Sequence, residues 1–482
     1  MAVPSRWHVE RTQPKSSAVL SFDRGTLLLS AGSDPEVSSL LRSRGWTWDS
    51  RVRAWRRLAI DYRDVRKELR ARWGGGFVDS VAAPARVTWP SSDLPSLRED
   101  QAQALAAWRA ARGRGLLVMP TGTGKTEVAL AAMARTKIST LIVAPVRDLM
   151  HQWHQRILRR LGYDAGIVGD SLFNLRPVTV TTYDSAYLHM AEMGDRFGLI
   201  VFDEAHHLPG RSFRDAANFC AAPFRMGLTA TPERSDGREA DLESLIGPTV
   251  YRQEIAHARG RSLAEFDVVR IPVKLDEREQ ASYDAAGAIV RGFLSAKRAE
   301  GQTKYTWQDL CAESGKDPAA RRAQNAYYLR KSIEDRASEK LRVLEDLFRL
   351  HAGERVIVFA GSNAMAMDVS RRFLVPTLLS HSRKKERRAV LEGFASGTFP
   401  VLVANRVLDE GVDVPAAKVA VVLGGQASTR QAKQRLGRIL RKSGAAKAVL
   451  YEVVCQDTND EERSRKRRRS DAFKRVRRKI KA

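Results

Sequence analysis

The 482-residue sequence predicts an α/β fold of two tandem parallel-sheet domains, with a small α+β domain before them and a helical insertion between them. Short apolar runs alternate with helical patterns from about residue 97 to 270, and again after residue 355. This alternation is typical of parallel sheets covered by helices. Residues 276–340 are polar and contain few strand signals, which predicts helices between the two sheets. A chain of this length is expected to hold about three domains.

The individual elements follow from local patterns. Two strand-like runs flank Asp23-Arg24-Gly25, which is a hairpin signal, and residues 62–73 form a helical pattern. Gly74-Gly75-Gly76 and the stretch up to Pro95 predict a linker. The strands predicted for the first sheet domain are LLVM (116–119), TLIVA (140–144), VTVTT (178–182), LIVF (199–202) and RMGLTA (225–230). Those predicted for the second are RVIVFA (355–360), PVLVA (400–404), VAVVL (419–423) and AVLYEVV (448–454).

The end of the chain is strongly basic. Residues 463–482 contain twelve lysines and arginines against one aspartate, so we expect a tail kept disordered by charge repulsion. The expected limits are 1–88 for the N-terminal domain, 89–275 for the first sheet domain, 276–335 for the helical insertion, 336–458 for the second sheet domain and 459–482 for the tail.

The composition indicates the kind of partner and compartment. The net charge of +26 favours a polyanionic partner such as nucleic acid. No run approaches the ~20 apolar residues that span a bilayer, and the N-terminus lacks the apolar segment of a secretory signal. Cys220, Cys311 and Cys455 have no metal-ligand spacing, which indicates reduced thiols. We therefore expect a cytoplasmic protein without a membrane partner.

Residues 120–126 read PTGTGKT between an apolar strand and a helical run. Such a loop, here Thr121-Gly122-Thr123-Gly124, wraps phosphates with its backbone amides at the positive end of the following helix. Lys125 is expected to reach the β- and γ-phosphates, and the Thr126 hydroxyl to bind Mg²⁺. The segment therefore predicts a nucleoside triphosphate site.

A second motif, LIVFDEAH at residues 199–206, places two carboxylates directly after an apolar run. Paired charges at the end of a buried strand are costly unless a cation lies against them. Asp203 is the expected Mg²⁺ partner, and Glu204 suits the general base that orients the attacking water. Together the two motifs predict an ATP hydrolase that uses Mg²⁺.

The motifs TGTGKT, DEAH, GLTATPERSDG (227–237) and QRLGRILR (434–441) occur in an order that resembles superfamily 2 DEAD/DEAH-type helicases, most closely the XPB-like branch. The resemblance covers roughly residues 90–455. It implies two RecA-like domains that clamp ATP between them and move along DNA.

The resemblance also assigns roles outside the two phosphate motifs. On the first domain these residues are Arg98 and Gln101 near the adenine, and Thr229 and Thr231, which couple hydrolysis to domain movement. On the second they are Gly411 and Asp413, which touch ribose and DNA, and Gln434, Arg438 and Arg441, whose arginines reach the γ-phosphate. An arginine delivered from a second domain stabilises the charge on the transferring phosphoryl group, so hydrolysis should require domain closure.

Three further segments resemble parts of this family. FDRGTLLL followed by W-x-W-D-x-R resembles the damage-recognition domain of archaeal XPB relatives. Its arginines and Trp46, Trp48 and Trp55 could stack bases or contact phosphates, although tryptophans in a small domain more often form its core. Arg234-Ser235-Asp236 takes the place of the family's RED tripeptide, and residues 276–335 that of its thumb-like insertion.

The leading hypothesis is a monomeric ATP-dependent DNA helicase or translocase, 3′ to 5′ as in the resembled family, acting on single-stranded or forked DNA in repair. An alternative is a duplex DNA translocase of a defence or restriction-type system that works with a partner nuclease. A nucleic-acid clamp switched by ATP is a further alternative, and the sequence also leaves an RNA helicase open, because little in it selects the sugar.

Overall fold

The computed structural model describes residues 17–31, 34–234, 236–258, 265–379, 381–405, 417–425 and 448–468. Contacts divide the chain into two units. The first holds the residues up to 252 except 120–123, and the second holds the residues from 253 onward together with 120–123. The predicted α/β class is confirmed, because each unit contains a largely parallel sheet whose strands alternate with helices. None of the described helices is long and apolar enough to cross a membrane.

The first unit begins with a small mixed sheet. Its strands are β1 (Ala18–Asp23), β2 (Thr26–Ser30), β3 (Thr47–Asp49), β4 (Ala54–Leu58) and β5 (Phe77–Asp79), and its helices are α1 (Pro35–Ser43) and α2 (Tyr62–Trp73). The described strands lie in the order β3-β4-β2-β1-β5, with β1 and β2 forming the predicted hairpin. The linker prediction is wrong for β5, because this strand pairs in parallel with β1.

This small sheet packs directly on the rest of the first unit. Ala221, far away in the sequence, belongs to the buried core of the small sheet. Arg63 Nη1 donates to the carbonyl oxygen of Arg112 at 2.9 Å. Gly25 has a φ of +82°, and a Cβ at this position would clash with the Phe219 ring. The N-terminal domain is therefore docked on its neighbour within the unit.

The large sheet of the first unit holds the motifs. Its strands are β6 (Arg114–Val118), β7 (Thr140–Ala144), β8 (Gly166–Gly169), β9 (Leu172–Asn174), β10 (Val178–Thr182), β11 (Leu199–Asp203), β12 (Phe224–Thr229) and β13 (Thr249–Arg252). The helices are α3 (Glu99–Ala110), α4 (Lys125–Thr136), α5 (Arg147–Leu161), α6 (Tyr183–Met193), α7 (Arg214–Asn218) and α8 (Asp241–Leu245). In the described residues the order is β13-β6-β12-β11-β7-β10-β8-β9, and only the β8–β9 pair is antiparallel. Every residue of β7, β10 and β11 is buried, as expected for a sheet covered on both faces.

The second unit is built on another parallel sheet. Its strands are β14 (Phe266–Val273), β15 (Val356–Phe359), β16 (Thr377–Leu378), β17 (Val401–Ala404), β18 (Val419–Val422) and β19 (Ala448–Cys455). Its helices include α9 (Ile255–Ala258), α10 (Glu277–Ala299), α11 (Trp307–Glu313), α12 (Pro318–Arg336), α13 (Ser338–Leu350), α14 (Asn363–Phe373) and α15 (Lys384–Ser396). Among the described strands the order is β14-β19-β18-β15-β17-β16.

The position of β14 corrects the predicted limit of the first sheet domain. We expected that domain to extend to residue 275, but β14 pairs with β19 along its whole length, from Phe266 opposite Ala448 to Val273 opposite Cys455. The helical insertion formed by α10, α11 and α12 therefore follows the first strand of the second unit and interrupts that unit. Local patterns could not show this, because the pairing joins strands far apart in the sequence.

The start of the predicted disordered tail is also corrected. Residues Asn459–Arg468 form a helix, here α16, immediately after β19. Lys340 Nζ donates to Asp460 Oδ2 at 2.8 Å, and both side chains are fully buried. One turn further, Arg463 Nη2 donates to Glu334 Oε2 at 2.5 Å. These buried ion pairs hold a segment whose charge alone suggested disorder.

Candidate nucleotide-hydrolysis site

The loop between β6 and α4 has the shape of a phosphate-binding loop. Gly122 has a φ of +87° and Gly124 a φ of +75°, in the left-handed region that favours glycine. A Cβ on Gly124 would also clash with the side-chain nitrogen of Gln101. Helix α4 starts directly after this turn at Lys125, so its free backbone amides and positive dipole end face the loop.

Two side chains of the loop carry polar atoms suited to phosphate. Lys125 is 8% exposed, and its ammonium donates to the carbonyl oxygen of Met119 at 3.1 Å. Two of its three N–H groups remain for other acceptors. The Thr121 hydroxyl is buried without a hydrogen-bond partner among the described residues, whereas the Thr123 hydroxyl donates to the Pro120 carbonyl oxygen at 2.7 Å. The loop thus presents polar groups that an anion can satisfy.

The two residues expected near the adenine lie beside this loop. The backbone N–H of Arg98 donates to Gln101 Oε1 at 3.0 Å, which closes the start of α3. Gln101 Nε2 in turn donates to the Gly124 carbonyl oxygen at 3.4 Å. The Arg98 side chain is 45% exposed and lies 3.4 Å from Asp100. Gln101 therefore fixes the loop, and Arg98 is open to solvent.

Asp203 ends β11 with a carboxylate that two donors orient. Trp153 Nε1, on α5, donates to Asp203 Oδ2 at 2.8 Å, and the backbone N–H of Glu204 donates to Oδ1 at 3.0 Å. Trp153 is 2% exposed and Asp203 8%. Below them, the Tyr183 hydroxyl donates to the Asp203 backbone carbonyl at 3.0 Å. Burial, together with the charges of Asp203 and Glu204, raises the pKa of Tyr183 well above its usual value, so the phenol remains a donor.

Glu204 lies in an uncommon backbone conformation. Its φ of 45° and ψ of 53° place a non-glycine residue in the left-handed region, which costs energy and tends to occur at functional sites. One carboxylate oxygen, Oε2, lies 3.5 Å from His206 Nδ1. The turn at Glu204 therefore brings the predicted general base against a fully buried histidine of the same motif.

His206 links the DEAH motif to the TAT motif. Its Nδ1 lies 3.0 Å from Thr229 Oγ1, and that hydroxyl lies 3.1 Å from the Thr231 carbonyl oxygen. A threonine hydroxyl has one hydrogen. If it is donated to Thr231, then His206 must carry its proton on Nδ1 and donate it to Thr229. The backbone N–H of Thr231 also donates to Thr229 Oγ1 at 3.2 Å.

The residues in place of the RED tripeptide support the same motif. Arg234 Nη1 donates to the His206 carbonyl oxygen. Its Nε and Nη2 donate to Asp236 at 2.7 and 2.6 Å, and this fork holds the pKa of Asp236 well below its usual range. Ser235 lies outside the described residues. Arg234 thus connects this segment to the DEAH turn.

Strand order explains why these motifs meet. In the sheet β12 lies between β6 and β11, so the TAT motif is flanked by the phosphate loop and the DEAH motif. The backbone N–H of Met119 donates to the Thr229 carbonyl oxygen at 2.9 Å. Parallel strands place their carboxyl ends at one edge, which is where ligands bind in such sheets. Thr126 lies in the first turn of α4 at this edge.

Sequence reasoning missed Trp153 and Tyr183. Both follow strands of the same sheet, α5 after β7 and α6 after β10, so the shared carboxyl edge was the signal that could have indicated them. Five predicted residues, Gly411, Asp413, Gln434, Arg438 and Arg441, lie outside the described residues. Their roles stay predictions.

Family models match three stretches of the chain. Residues 20–81 match the xeroderma pigmentosum group B helicase damage recognition domain. Residues 94–234 match the res subunit of type III restriction enzymes, and residues 339–443 match the helicase conserved C-terminal domain.

Several proteins are similar over most of the chain. DNA 3′-5′ translocase XPB2 of Sulfurisphaera tokodaii is 39% identical over 427 residues, which are 88% of this chain and 96% of the relative. DNA 3′-5′ helicase XPB of Kineococcus radiotolerans is 32% identical over 82% of this chain and 65% of its own length. The solved structure of S. cerevisiae Dbp5 bound to RNA and ADP BeF3 has a TM-score of 0.55 at 16% identity, covering 78% of this chain and 88% of that one, a likeness of fold alone.

The fold and the site together define a superfamily 2 helicase. The phosphate loop, the DEAH turn and the TAT motif lie at one edge of a RecA-like parallel sheet. Within this class the chain belongs to the XPB helicase family, since its similarity to the archaeal XPB2 spans nearly the whole of both chains. As a helicase of this family, it is an ATP-dependent enzyme.

Proposed function

We propose that this chain is an ATP-driven DNA motor that moves 3′ to 5′ on single-stranded or forked DNA and separates its strands in repair. The observation that carries the proposal is the position of His206 beside the phosphate loop: its Nδ1 lies 3.5 Å from Glu204 Oε2 and within hydrogen-bond distance, 3.0 Å, of the Thr229 hydroxyl. The relatives named as 3′-5′ translocase and helicase support the polarity. The excess of basic residues suits a polyanionic track.

In this proposal the phosphate loop binds ATP, and the carboxylates at the end of β11 position Mg²⁺ and the attacking water. Backbone amides of Gly122 to Lys125 and the Lys125 ammonium hold the phosphates. Mg²⁺, held by Thr126 and Asp203, would neutralise charge on the phosphate oxygens. Trp153 fixes the orientation of the Asp203 carboxylate. Glu204 orients the attacking water and accepts its proton.

The family resemblance assigns further roles in hydrolysis to residues near the end of the chain. Gly411, Asp413 and Gln434 would contact the ribose, DNA and nucleotide, and Arg438 and Arg441 would stabilise charge on the transferring phosphoryl group. In the resembled family such arginines reach the nucleotide only when the two RecA-like domains close, so in this proposal hydrolysis requires that closure. Closure is then the step along DNA.

Glu204→Gln tests the assignment. This variant keeps the shape and removes the base, so DNA-stimulated ATP turnover should fall about 10²- to 10⁴-fold while nucleotide binding persists. Glu192→Gln is the matched control, because Glu192 is 69% exposed on α6 and should leave turnover unchanged. Undiminished DNA-stimulated turnover in Glu204→Gln would contradict the proposed catalytic role.

A duplex translocase is the second candidate, and the name of the archaeal relative, a translocase, favours it. In that case the motor moves along duplex DNA without unwinding it, and a partner nuclease supplies cleavage. Displacement of a triplex strand without separation of a forked duplex would support this candidate. Unwinding of a fork with a 3′ tail, and none with a 5′ tail, would support the helicase.

The remaining parts of the proposal concern the nucleic-acid substrate, the oligomeric state and the cellular location of the motor. We take the motor to be monomeric and cytoplasmic, with DNA rather than RNA as its track. Forked RNA of the same sequence tests the sugar preference, and equal unwinding of both would overturn it. Sedimentation of the chain with and without forked DNA tests whether the motor is monomeric.

A further inference from the structure

A buried carboxyl group in the second unit takes no part in the mechanism described above. Asp335 lies in the last turn of α12 and is 2% exposed, and its Oδ1 has no hydrogen-bond partner among the described residues. A buried carboxyl oxygen without a donor costs free energy, and a negative charge is disfavoured at the carboxyl end of a helix. Burial raises the pKa of Asp335, although the charges of Lys340, Arg463 and Lys331 counteract this rise. Asp335 therefore destabilises the fold unless another state of the protein supplies a donor.

The preceding residue is also a buried acid, but it has partners. Glu334 accepts hydrogen bonds from Arg463 Nη2 at 2.5 Å and from the Tyr283 hydroxyl at 2.7 Å. Its side chain is 1% exposed, so the two neighbouring carboxyl groups are equally buried. They differ in that contacts within the unit hold Glu334, whereas Asp335 Oδ1 has no donor among the described residues.

Asp335 lies against two glycine turns at the carboxyl edge of the second sheet. A Cβ added to Gly361 would lie 2.5 Å from Asp335 Oδ1, and one added to Gly424 would lie 2.7 Å from it, so a side chain at either position would displace the carboxyl group. Gly361 follows β15 and Gly424 follows β18, and these strands are parallel neighbours. Among the described strands, β17 and β16 lie on one side of β15, and β18 and β19 on the other. The two turns therefore flank the point where the strand order reverses, at which ligands commonly bind in parallel sheets.

The second of these turns is the start of the chain segment that leads to the arginine motif. We call residues 424–425 the Gly424 turn. Gly425 has a φ of +129°, in the region that favours glycine, and ends the described stretch 417–425. The sequence then continues to QRLGRILR at residues 434–441. On the other side, Asp335 belongs to the last helix of the insertion. The Asp335 carboxyl group therefore joins the end of the insertion to the beginning of that segment.

A buried polar group that lacks a partner in one state can be stabilised by a donor in another. We propose that Asp335 is a positioning residue for ATP hydrolysis: when DNA is bound, its carboxylate accepts a hydrogen bond from the backbone of the Gly424 turn and fixes the start of the segment that leads to the arginine motif. The inference rests on the proposed function, because it takes hydrolysis to be driven by DNA. The carboxyl group then costs stability without DNA and stabilises the hydrolytic arrangement with DNA.

The test measures ATP turnover of the full chain with and without forked DNA. Asp335→Ala should lower the DNA-stimulated turnover about 10- to 100-fold, which is the rate equivalent of a hydrogen bond to a charged group. Turnover without DNA, the KM for ATP and the affinity for forked DNA should stay within about twofold of wild type. Asp335→Asn should retain part of the stimulation, because it keeps the shape and one acceptor oxygen. Asp284→Asn is the matched control, since Asp284 is an exposed carboxylate on α10 of the same insertion.

Thermal unfolding distinguishes a positioning role from a structural one. Asp335→Ala removes a buried carboxyl group that has an unpaired oxygen, so the melting temperature of this variant should be higher than that of wild type. Glu334→Gln should have the opposite effect, because it breaks the buried ion pair with Arg463. A gain in stability together with a loss of DNA-stimulated turnover is the result expected of Asp335→Ala.

The outcomes separate this inference from the proposed function. Equal DNA stimulation of wild type and Asp335→Ala would overturn the positioning role and leave the motor intact. A lower melting temperature of Asp335→Ala with parallel losses of turnover with and without DNA would make Asp335 a structural residue, and a loss of DNA affinity would make it part of the DNA site. Either result would also overturn the inference. A wild-type chain whose ATP turnover does not respond to DNA would overturn the proposed function together with the inference.

Discussion

Trp153→Phe should slow ATP hydrolysis without weakening nucleotide binding. In the structure, the Trp153 indole N–H donates to Asp203 Oδ2 at 2.8 Å, and both residues are buried. A hydrogen bond to a charged group contributes about 1.5–3 kcal/mol. Phenylalanine keeps an aromatic ring in the same space but cannot donate. The Asp203 carboxylate then loses the indole donor that fixes its orientation.

The size of the effect follows from that energy. If most of this hydrogen-bond energy stabilises the transition state, its loss lowers turnover about 10- to 100-fold, since ~1.4 kcal/mol is tenfold in rate. The KM for ATP should change much less, because in the proposed mechanism the loop and Lys125 bind the phosphates. The Mg²⁺ concentration that gives half-maximal activity should rise. DNA-stimulated phosphate release, titrated separately with ATP and Mg²⁺, measures all three.

Trp108→Phe provides a matched control. Trp108 is also 2% exposed, and its indole N–H donates to the backbone carbonyl oxygen of Arg225 at 2.9 Å. Both variants should lower the melting temperature, but only Trp153→Phe should reduce turnover and raise the Mg²⁺ requirement. Equal losses of turnover in the two variants, or none in Trp153→Phe, would refute the positioning role.

Two further predictions concern the second unit and the thiols. Lys340→Met removes the buried cation that pairs with Asp460, so urea unfolding should show a loss of about 3–5 kcal/mol, largely recovered by adding Asp460→Leu. Burial alone would lower the pKa of Lys340, but Asp460 and other negative groups raise it above its ordinary value. The stability from this pair is therefore full below the ordinary lysine pKa and is lost as the pH rises through the folded-state pKa. A thiol reagent at pH 8 should label exposed Cys311 first, because burial raises the pKa of the Cys220 thiol above its usual value and raises the pKa of the Cys455 thiol to about 11. Rapid labelling of all three cysteines in the folded chain would contradict this.

The first half of the site could be predicted because its residues follow strand ends. The apolar runs before Lys125 and Asp203 are long enough to mark buried strands, and polar residues at their carboxyl ends meet at one edge. The donor from Trp153 could not be predicted in the same way. Its helix has an amphipathic pattern, which predicts only that Trp153 is a buried core residue. The direction of its indole N–H depends on tertiary packing, so the bond to Asp203 cannot be predicted from that pattern.

Two of the errors in the fold have a shared cause. Residues 266–273 were assigned to the first sheet domain because they follow its last predicted strand, yet they pair with β19. Residues 459–468 were assigned to a disordered tail because of their charge, yet Asp460 and Arg463 lie three residues apart on α16 and reach Lys340 and Glu334. In both cases a contact between distant parts of the chain outweighs the local signal.

The contacts within the first unit place the DEAH histidine between Glu204 and the TAT motif. Thr229 Oγ1 has one hydrogen, so its bond to the Thr231 carbonyl requires His206 to be the donor. A change at Glu204, which lies 3.5 Å from the same ring nitrogen, alters the competition for that proton. Arg234 bonds the His206 backbone, so movement of the histidine also reaches the segment that takes the place of the RED tripeptide. Glu204, His206 and Thr229 are therefore connected by contacts that lie within the first unit alone.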